Sequence, residues 1–96
     1  MAEEAFRDLI ELGDGTIVEA KAWRVPESEK YPEGLKYSFQ HYDPETGKTL
    51  LRYDNYNKHA GSRHHKHKNG KTEAVEFEGL KDHYERFLDE VEKNER

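Results

Sequence analysis

The chain contains no cysteine, which excludes disulfide bonds and thiolate chemistry and leaves the redox compartment open. It also has no run that approaches the ~18 consecutive apolar residues of a membrane-spanning helix. The first residues, Met1-Ala2-Glu3-Glu4, are acidic and lack the basic end and apolar core of a signal peptide. From these absences we expect a cytoplasmic protein with no membrane partner.

Apolar residues are scarce, at 32% of the 96 residues, which is well below the usual content of a globular domain. Six Tyr, four Phe and one Trp make up part of the shortfall, because aromatic side chains bury large apolar areas. A chain of this length has room for one small core. We therefore expect a single domain over residues 1–96.

The net charge of −5 conceals an uneven distribution. Residues 1–56 carry 7 basic and 12 acidic residues, and residues 72–96 carry 4 and 9, so each of these regions sums to −5. Between them, residues 57–71 carry 5 basic residues and no acidic one, together with four of the six histidines. We call residues 57–71 the basic segment, and we expect it to be a His-rich loop.

Two interpretations of the basic segment stay open. It is either a solvated connection between acidic regions, or a surface that binds anions such as nucleic acid. The pI of about 5.7 argues against strong non-specific binding of nucleic acid by the whole domain. A local basic patch still suits a small site.

The first half of the chain has the alternation and the turns of antiparallel strands. Asp14-Gly15 predicts a hairpin turn, and Pro26 ends the strand that follows because it cannot donate a main-chain hydrogen bond. Asp43-Pro44 and Gly47 predict a second turn. The predicted strands run over residues 5–12, 16–25, 35–42, 49–56 and, as a short edge strand, 72–77.

Residues 79–94 are predicted to form an amphipathic helix, because their apolar side chains recur at spacings of three and four. The expected fold class is α+β: an antiparallel sheet of about four strands in a meander, with this C-terminal helix packed on one face. The expected core comprises Val18, Trp23, Leu35, Tyr37, Phe39, Leu51, Tyr84, Phe87 and Leu88. His41 and His83 are expected to be structural.

The string Arg63-His64-His65-Lys66-His67 is the most unusual in the sequence. RNA cleavage without a metal needs a base, an acid and a cation near the phosphate. Imidazole titrates near neutral pH and serves in either proton-transfer role. His64, His65 and His67 are therefore candidate catalytic residues. In an extended chain His65 and His67 point to one side, and His64 and Lys66 to the other.

Further candidates surround this string. Asp54 is a candidate for orienting one imidazole; the alternative is that Asp54-Asn55 serves only as turn chemistry at a strand end. The candidate nucleic-acid contacts are Lys58, Arg63, Lys66 and Lys68 for phosphates, and Tyr53 and Tyr56 for stacking on bases. The same histidines, with Asp54, also suit Zn or Ni. We assign no metal and no cofactor.

Five segments, taken in order, resemble the TumE-like family of small prokaryotic toxins of toxin–antitoxin modules. They are Ile17-Val18-Glu19, Trp23-Arg24-Val25-Pro26, Tyr37-Ser38-Phe39-Gln40, Arg52-Tyr53-Asp54-Asn55 and His64-His65-Lys66-His67. The resemblance runs from about Ile10 to Val91. It implies a cognate antitoxin, usually encoded alongside and often a helix-turn-helix protein.

Taken together, residues and resemblance predict a toxin that acts on RNA or on translation. The candidate reaction is metal-independent RNA cleavage by the His-rich segment. The alternatives are a non-catalytic module that binds nucleic acid or protein, and a metal-binding protein.

Overall fold

The computed structural model describes residues 3–29, 31–55, 64–68 and 70–94. Within these ranges six strands form one antiparallel sheet, and strands that follow one another in sequence are neighbours in the sheet. They are β1 (Glu3–Glu11), β2 (Ile17–Arg24), β3 (Leu35–Tyr42), β4 (Thr49–Asp54), β5 (His65–Lys68) and β6 (Lys71–Ala74), followed by α1 (Leu80–Asn94). The antiparallel α+β class is confirmed, but the sheet has six strands rather than about four.

The prediction of one loop over residues 57–71 is wrong for its second part. Residues 65–68 form β5, which pairs with the end of β4 on one side and with β6 on the other. Gly70 has φ +76°, and this left-handed conformation permits the tight turn between β5 and β6. Main-chain pairing to β4 thus outweighs the repulsion among like charges. Residues 57–63 lie outside the described residues.

Side chains on one face of the sheet contact the helix. The buried core consists of Val18, Ala20, Ala22, Tyr37, Phe39, Leu51 and Tyr53 from the strands with Phe87 and Val91 from α1. The Phe87 ring centroid lies 5.7 Å from that of Phe39 and 5.1 Å from that of Tyr53, both edge to face. We call this side of the sheet the helix face and the opposite side the open face.

Two predicted core residues lie outside this core. Trp23 is half-buried, because alternation along β2 turns it to the open face while Ala22 faces the helix. Leu35 is half-buried because it begins β3 at the end of the sheet, where it lines a hollow with Leu80. Tyr84 and Leu88 are partly buried against the core.

No helix in the described ranges is both long and apolar enough to span a membrane.

Truncation of Phe87 tests the packing between helix and sheet. Because its ring is fully buried among aromatic neighbours, Phe87→Ala is expected to lower the free energy of unfolding by about 3–5 kcal/mol. Urea unfolding followed by circular dichroism measures the change. Leu9→Ala is the control, because Leu9 is 61% exposed and its truncation should change stability by less than about 0.5 kcal/mol. Equal effects of the two variants would contradict the packing described.

Candidate active site on the open sheet face

Four side chains with complementary chemistry lie together on the open face of β4 and β5. Arg52 lies opposite His67 in the sheet, and Asp54 lies opposite His65. Because side chains alternate along a strand, all four share the face that α1 does not cover. We call Arg52, Asp54, His65 and His67 the open-face cluster.

Asp54 lies at the centre of the cluster. It is 4% exposed, and its Oδ2 atom lies 2.9 Å from Arg52 Nε and 3.5 Å from His67 Nε2. Its Oδ1 atom is buried and has no hydrogen-bond partner among the described residues. Since a buried carboxylate oxygen without a donor costs free energy, this atom is a position where a further donor is favoured.

The surroundings of His67 assign its tautomer. Nε2 faces the Asp54 carboxylate at 3.5 Å, and because a carboxylate only accepts hydrogen bonds we assign the ring proton of neutral His67 to Nε2. The other nitrogen, Nδ1, lies 3.1 Å from the hydroxyl of Thr72 on the exposed strand β6. In neutral His67 the lone pair is therefore on Nδ1, where it accepts a hydrogen bond from the Thr72 hydroxyl. Asp54 thus presents the basic nitrogen of His67 towards the exposed edge of the open face.

His65 supplies a second imidazole within reach of the first. The two ring centroids are 6.4 Å apart, and both residues are half-buried. This spacing lets both rings contact one phosphodiester group. With the Arg52 guanidinium, the cluster contains the base, acid and cation that phosphodiester cleavage without a metal needs.

Other predicted site residues face the helix. Lys66 Nζ lies 3.0 Å from Glu90 Oε2, and Tyr53, fully buried, donates its hydroxyl to the same carboxylate. Burial alone would raise the pKa of Glu90, but the hydrogen bonds from Tyr53 and Lys66 hold it below its ordinary value. The Tyr53 ring is therefore covered and not available for stacking on a base. Lys68 shares the face of Lys66.

Lys58, Arg63 and Tyr56 lie outside the described residues.

His64 lies apart from the open-face cluster, in a buried hydrogen-bonded chain. It is 7% exposed and stacks on Phe77 with ring centroids 4.5 Å apart. Its Nε2 atom lies 3.0 Å from Glu33 Oε2, and its Nδ1 atom lies 2.8 Å from the Tyr37 hydroxyl. That hydroxyl also lies 2.8 Å from His83 Nε2. We call Glu33, His64, Tyr37 and His83 the buried relay.

Hydrogen-bonding rules give the relay a direction. The Glu33 carboxylate accepts from His64 Nε2, so Nδ1 of a neutral His64 accepts the Tyr37 proton. The Tyr37 oxygen then accepts from His83. Burial, and after it the charges of Asp54 and Glu33, raise the pKa of Tyr37 far above its ordinary value. Burial, and after it the charges of His64 and Arg86, lower the pKa of His83 to about 4.

Asn55 fixes the end of β4 beside both groups of residues. Its Oδ1 atom accepts from the Tyr37 main-chain N–H at 3.0 Å, and its Nδ2 atom donates to the Leu35 carbonyl at 2.6 Å. The side chain replaces main-chain pairing where β4 ends, so Asn55 holds the end of β4 against β3, next to Asp54.

The predicted structural histidines, His41 and His83, are both buried.

Sequence reasoning missed Arg52 and the relay residues Glu33 and Tyr37. Alternation along β4 was a usable signal for Arg52, since it shares a face with Asp54. The relay has no such signal, because its members come from four separate segments.

Among the described residues, no group of three or more His, Cys, Asp or Glu side chains is placed to hold a metal ion.

Comparison with known protein families identifies the family of this chain. The family model described as toxin TumE matches residues 3–95. No curated protein and no solved structure matches the chain. The matched range contains every strand, the helix, the open-face cluster and the buried relay.

His83 makes stability depend on pH. Its pKa is 6.5 in an unfolded chain and about 4 in the folded protein, so between these values the unfolded state binds more protons. The contribution that neutral His83 makes to stability is fully present above pH 6.5. We expect the free energy of unfolding to fall by a few kcal/mol as the pH drops from 6.5 towards 4 and the unfolded state takes up the proton. Urea unfolding at several pH values measures this fall.

His83→Gln is the matched variant, since glutamine does not titrate. Its stability should depend less steeply on pH between 6.5 and 4 than that of the parent, whatever its absolute stability. Parallel pH profiles for the two proteins would show that His83 is not the group responsible.

Proposed function

Because this chain belongs to the TumE toxin family and is the toxin of a toxin–antitoxin system, we propose that it arrests growth by cleaving RNA at the open-face cluster. The observation that carries the proposal is the Asp54 carboxylate held between Arg52 and His67 on the sheet face opposite α1, with His65 beside them. A purely structural ion pair does not require two imidazoles on the same side.

The proposed reaction uses the 2′-hydroxyl of RNA as the nucleophile. His67 Nδ1 takes the proton of this hydroxyl, and the substrate displaces the Thr72 hydroxyl from that nitrogen. The 2′ oxygen forms a bond to phosphorus as the bond from phosphorus to the 5′ oxygen breaks. His65, initially protonated, gives its proton to the departing 5′ oxygen. The products are a 2′,3′-cyclic phosphate and a 5′-hydroxyl end.

Two residues support this transfer without exchanging protons. The Arg52 guanidinium neutralises charge on the phosphate oxygens in the transition state. Asp54 is a positioning residue that holds His67 in the required tautomer and stabilises the imidazolium formed there. Lys58 and Arg63 precede β5 in sequence, and in this proposal they contact neighbouring phosphates. His64 is a member of the buried relay and does not contact the substrate in this proposal.

The partner and the location complete the proposal. Membership of a toxin family supports an antitoxin as the partner of this chain. We propose that this antitoxin is a helix-turn-helix protein encoded beside the toxin, and that the pair acts in the cytoplasm. In this proposal the toxin is active only when the antitoxin is absent.

Single substitutions of the two histidines test the reaction. His65→Gln and His67→Gln each remove a titrating group, and each should lower RNA cleavage about 100-fold or more and abolish growth arrest. Lys71→Gln is the control, because it removes one nearby charge on β6 and no proton-transfer group. Cleavage by the parent should persist in a chelator. Full toxicity in both histidine variants would favour the non-catalytic binding module.

Asp54→Asn tests the positioning role. Because the amide no longer fixes the His67 tautomer, kcat should fall at least tenfold while KM stays within about twofold. Thermal unfolding and circular dichroism check that the variant is folded. A rise in KM with kcat unchanged would place Asp54 in substrate binding, and no change in either constant would remove it from the mechanism.

A further inference from the structure

The two edges of the sheet differ in how well they are protected against further pairing. One edge of the sheet is formed by β6, a strand of four exposed residues that includes Lys71 and Glu73. Short charged edges of this kind resist pairing with another chain. On the other side, β1 is nine residues long, and within the described ranges no strand pairs with its outer edge.

An apolar groove runs beside the unprotected strand β1. Its central part has a volume of about 540 Å³, lies between β1 and α1, and is lined mainly by Ala5, Phe6, Leu80, Tyr84 and Leu88. A hollow at one end shares Ala5 and Leu80 with it, and a hollow at the other end shares Leu88. The groove therefore follows β1 on the helix face.

The open face of β1 also presents an apolar side chain. Leu9 is 61% exposed, and no other large apolar residue among those described is classed as exposed. Alternation along β1 places Phe6 and Ile10 towards the helix face and Leu9 on the open face. The strand thus has exposed apolar surface on both sides of its outer main-chain edge, with which no described strand pairs.

We propose that the edge of β1 is the docking site for an extended, basic segment of the antitoxin, which adds to the sheet as a further strand. Such a strand pairs with the free N–H and C=O groups of β1, places alternate side chains in the groove, and covers Leu9 with the others. One occupant thereby accounts for the open edge, the groove and the exposed leucine.

Charge selects a basic partner over a second copy of this chain. β1 carries four acidic residues and one basic residue, Arg7, so its charge is −3. Pairing of two β1 strands would set acidic side chains against acidic ones, which destabilises a sheet. A segment rich in Lys or Arg would instead be attracted by the same acidic residues. The β1 acidic residues are Glu3, Glu4, Asp8 and Glu11.

The docking edge is separate from the open-face cluster. β1 and β4 are three strand spacings apart, which is about 14 Å. Substitutions on β1 therefore leave the proposed reaction unaffected. The inference rests on this chain being a toxin with an antitoxin and not on RNA cleavage, so growth arrest is a sufficient readout and failure of the RNA proposal would be seen separately.

Charge reversal on β1 tests the docking site. In Glu3→Lys/Glu11→Lys two exposed residues are changed, and toxicity without antitoxin should be unchanged. Coexpression of the protein encoded beside the toxin should no longer restore growth, and its Kd for the purified toxin should rise about tenfold or more. The control is Glu45→Lys/Glu76→Lys, which makes the same charge change at exposed positions off β1 and should still be neutralised.

Leu9→Lys and hydrogen exchange provide the second test. Leu9→Lys should also escape neutralisation, and antitoxin should slow amide exchange in β1 of the parent toxin but not in β6. The inference is overturned if both β1 variants bind antitoxin with parental affinity, or if protection appears elsewhere. It is also overturned if the toxin alone forms a dimer in solution with β1 protected, or if the β1 variants lose toxicity while remaining folded.

Discussion

The pairing of β4 with β5 is the constraint on which the candidate site and the ion pair between sheet and helix both depend. In the observed register Tyr53 and Lys66 face α1, while Asp54 and His65 face away from it. A shift of one residue in β5 would turn its imidazoles towards the helix and its lysines to the open face. The Lys66–Glu90 ion pair opposes this shift, because it ties β5 to α1 at 3.0 Å.

The helix face shows how a chain with few aliphatic residues fills a core. Rings take the place of aliphatic side chains, and several of them carry polar atoms, among them Tyr37, His64 and His83. The Tyr37 hydroxyl bonds to His64 Nδ1 and to His83 Nε2, which compensates the burial of these three atoms. The relay is therefore part of the core, and it connects the loop before β3 with the helix.

Sequence patterns recovered those features that depend on local alternation or on turn chemistry. They placed β2, β3, β4 and the helix close to their observed bounds, and they singled out Asp54 as a partner for an imidazole. They failed where pairing with a distant strand decides the structure. The run His65–Lys68 has no apolar alternation, so the only local signal for this strand is the turn sequence Asn69-Gly70 that follows it. Trp23 was predicted to lie in the core, whereas the parity of its position on β2 turns it to the open face.

The four members of the buried relay are coupled, because the donor and acceptor roles of each one depend on those of its neighbour. Every inner member both gives and receives a hydrogen bond, so the orientation of the whole series is set at its Glu33 end. A proton gained there makes both nitrogens of His64 donors, so that Tyr37 must turn its own hydrogen towards His83. His83 must then carry its hydrogen on the opposite ring nitrogen. A protonation event at the Glu33 end is thereby transmitted to a side chain of α1 through exchanged donor and acceptor roles.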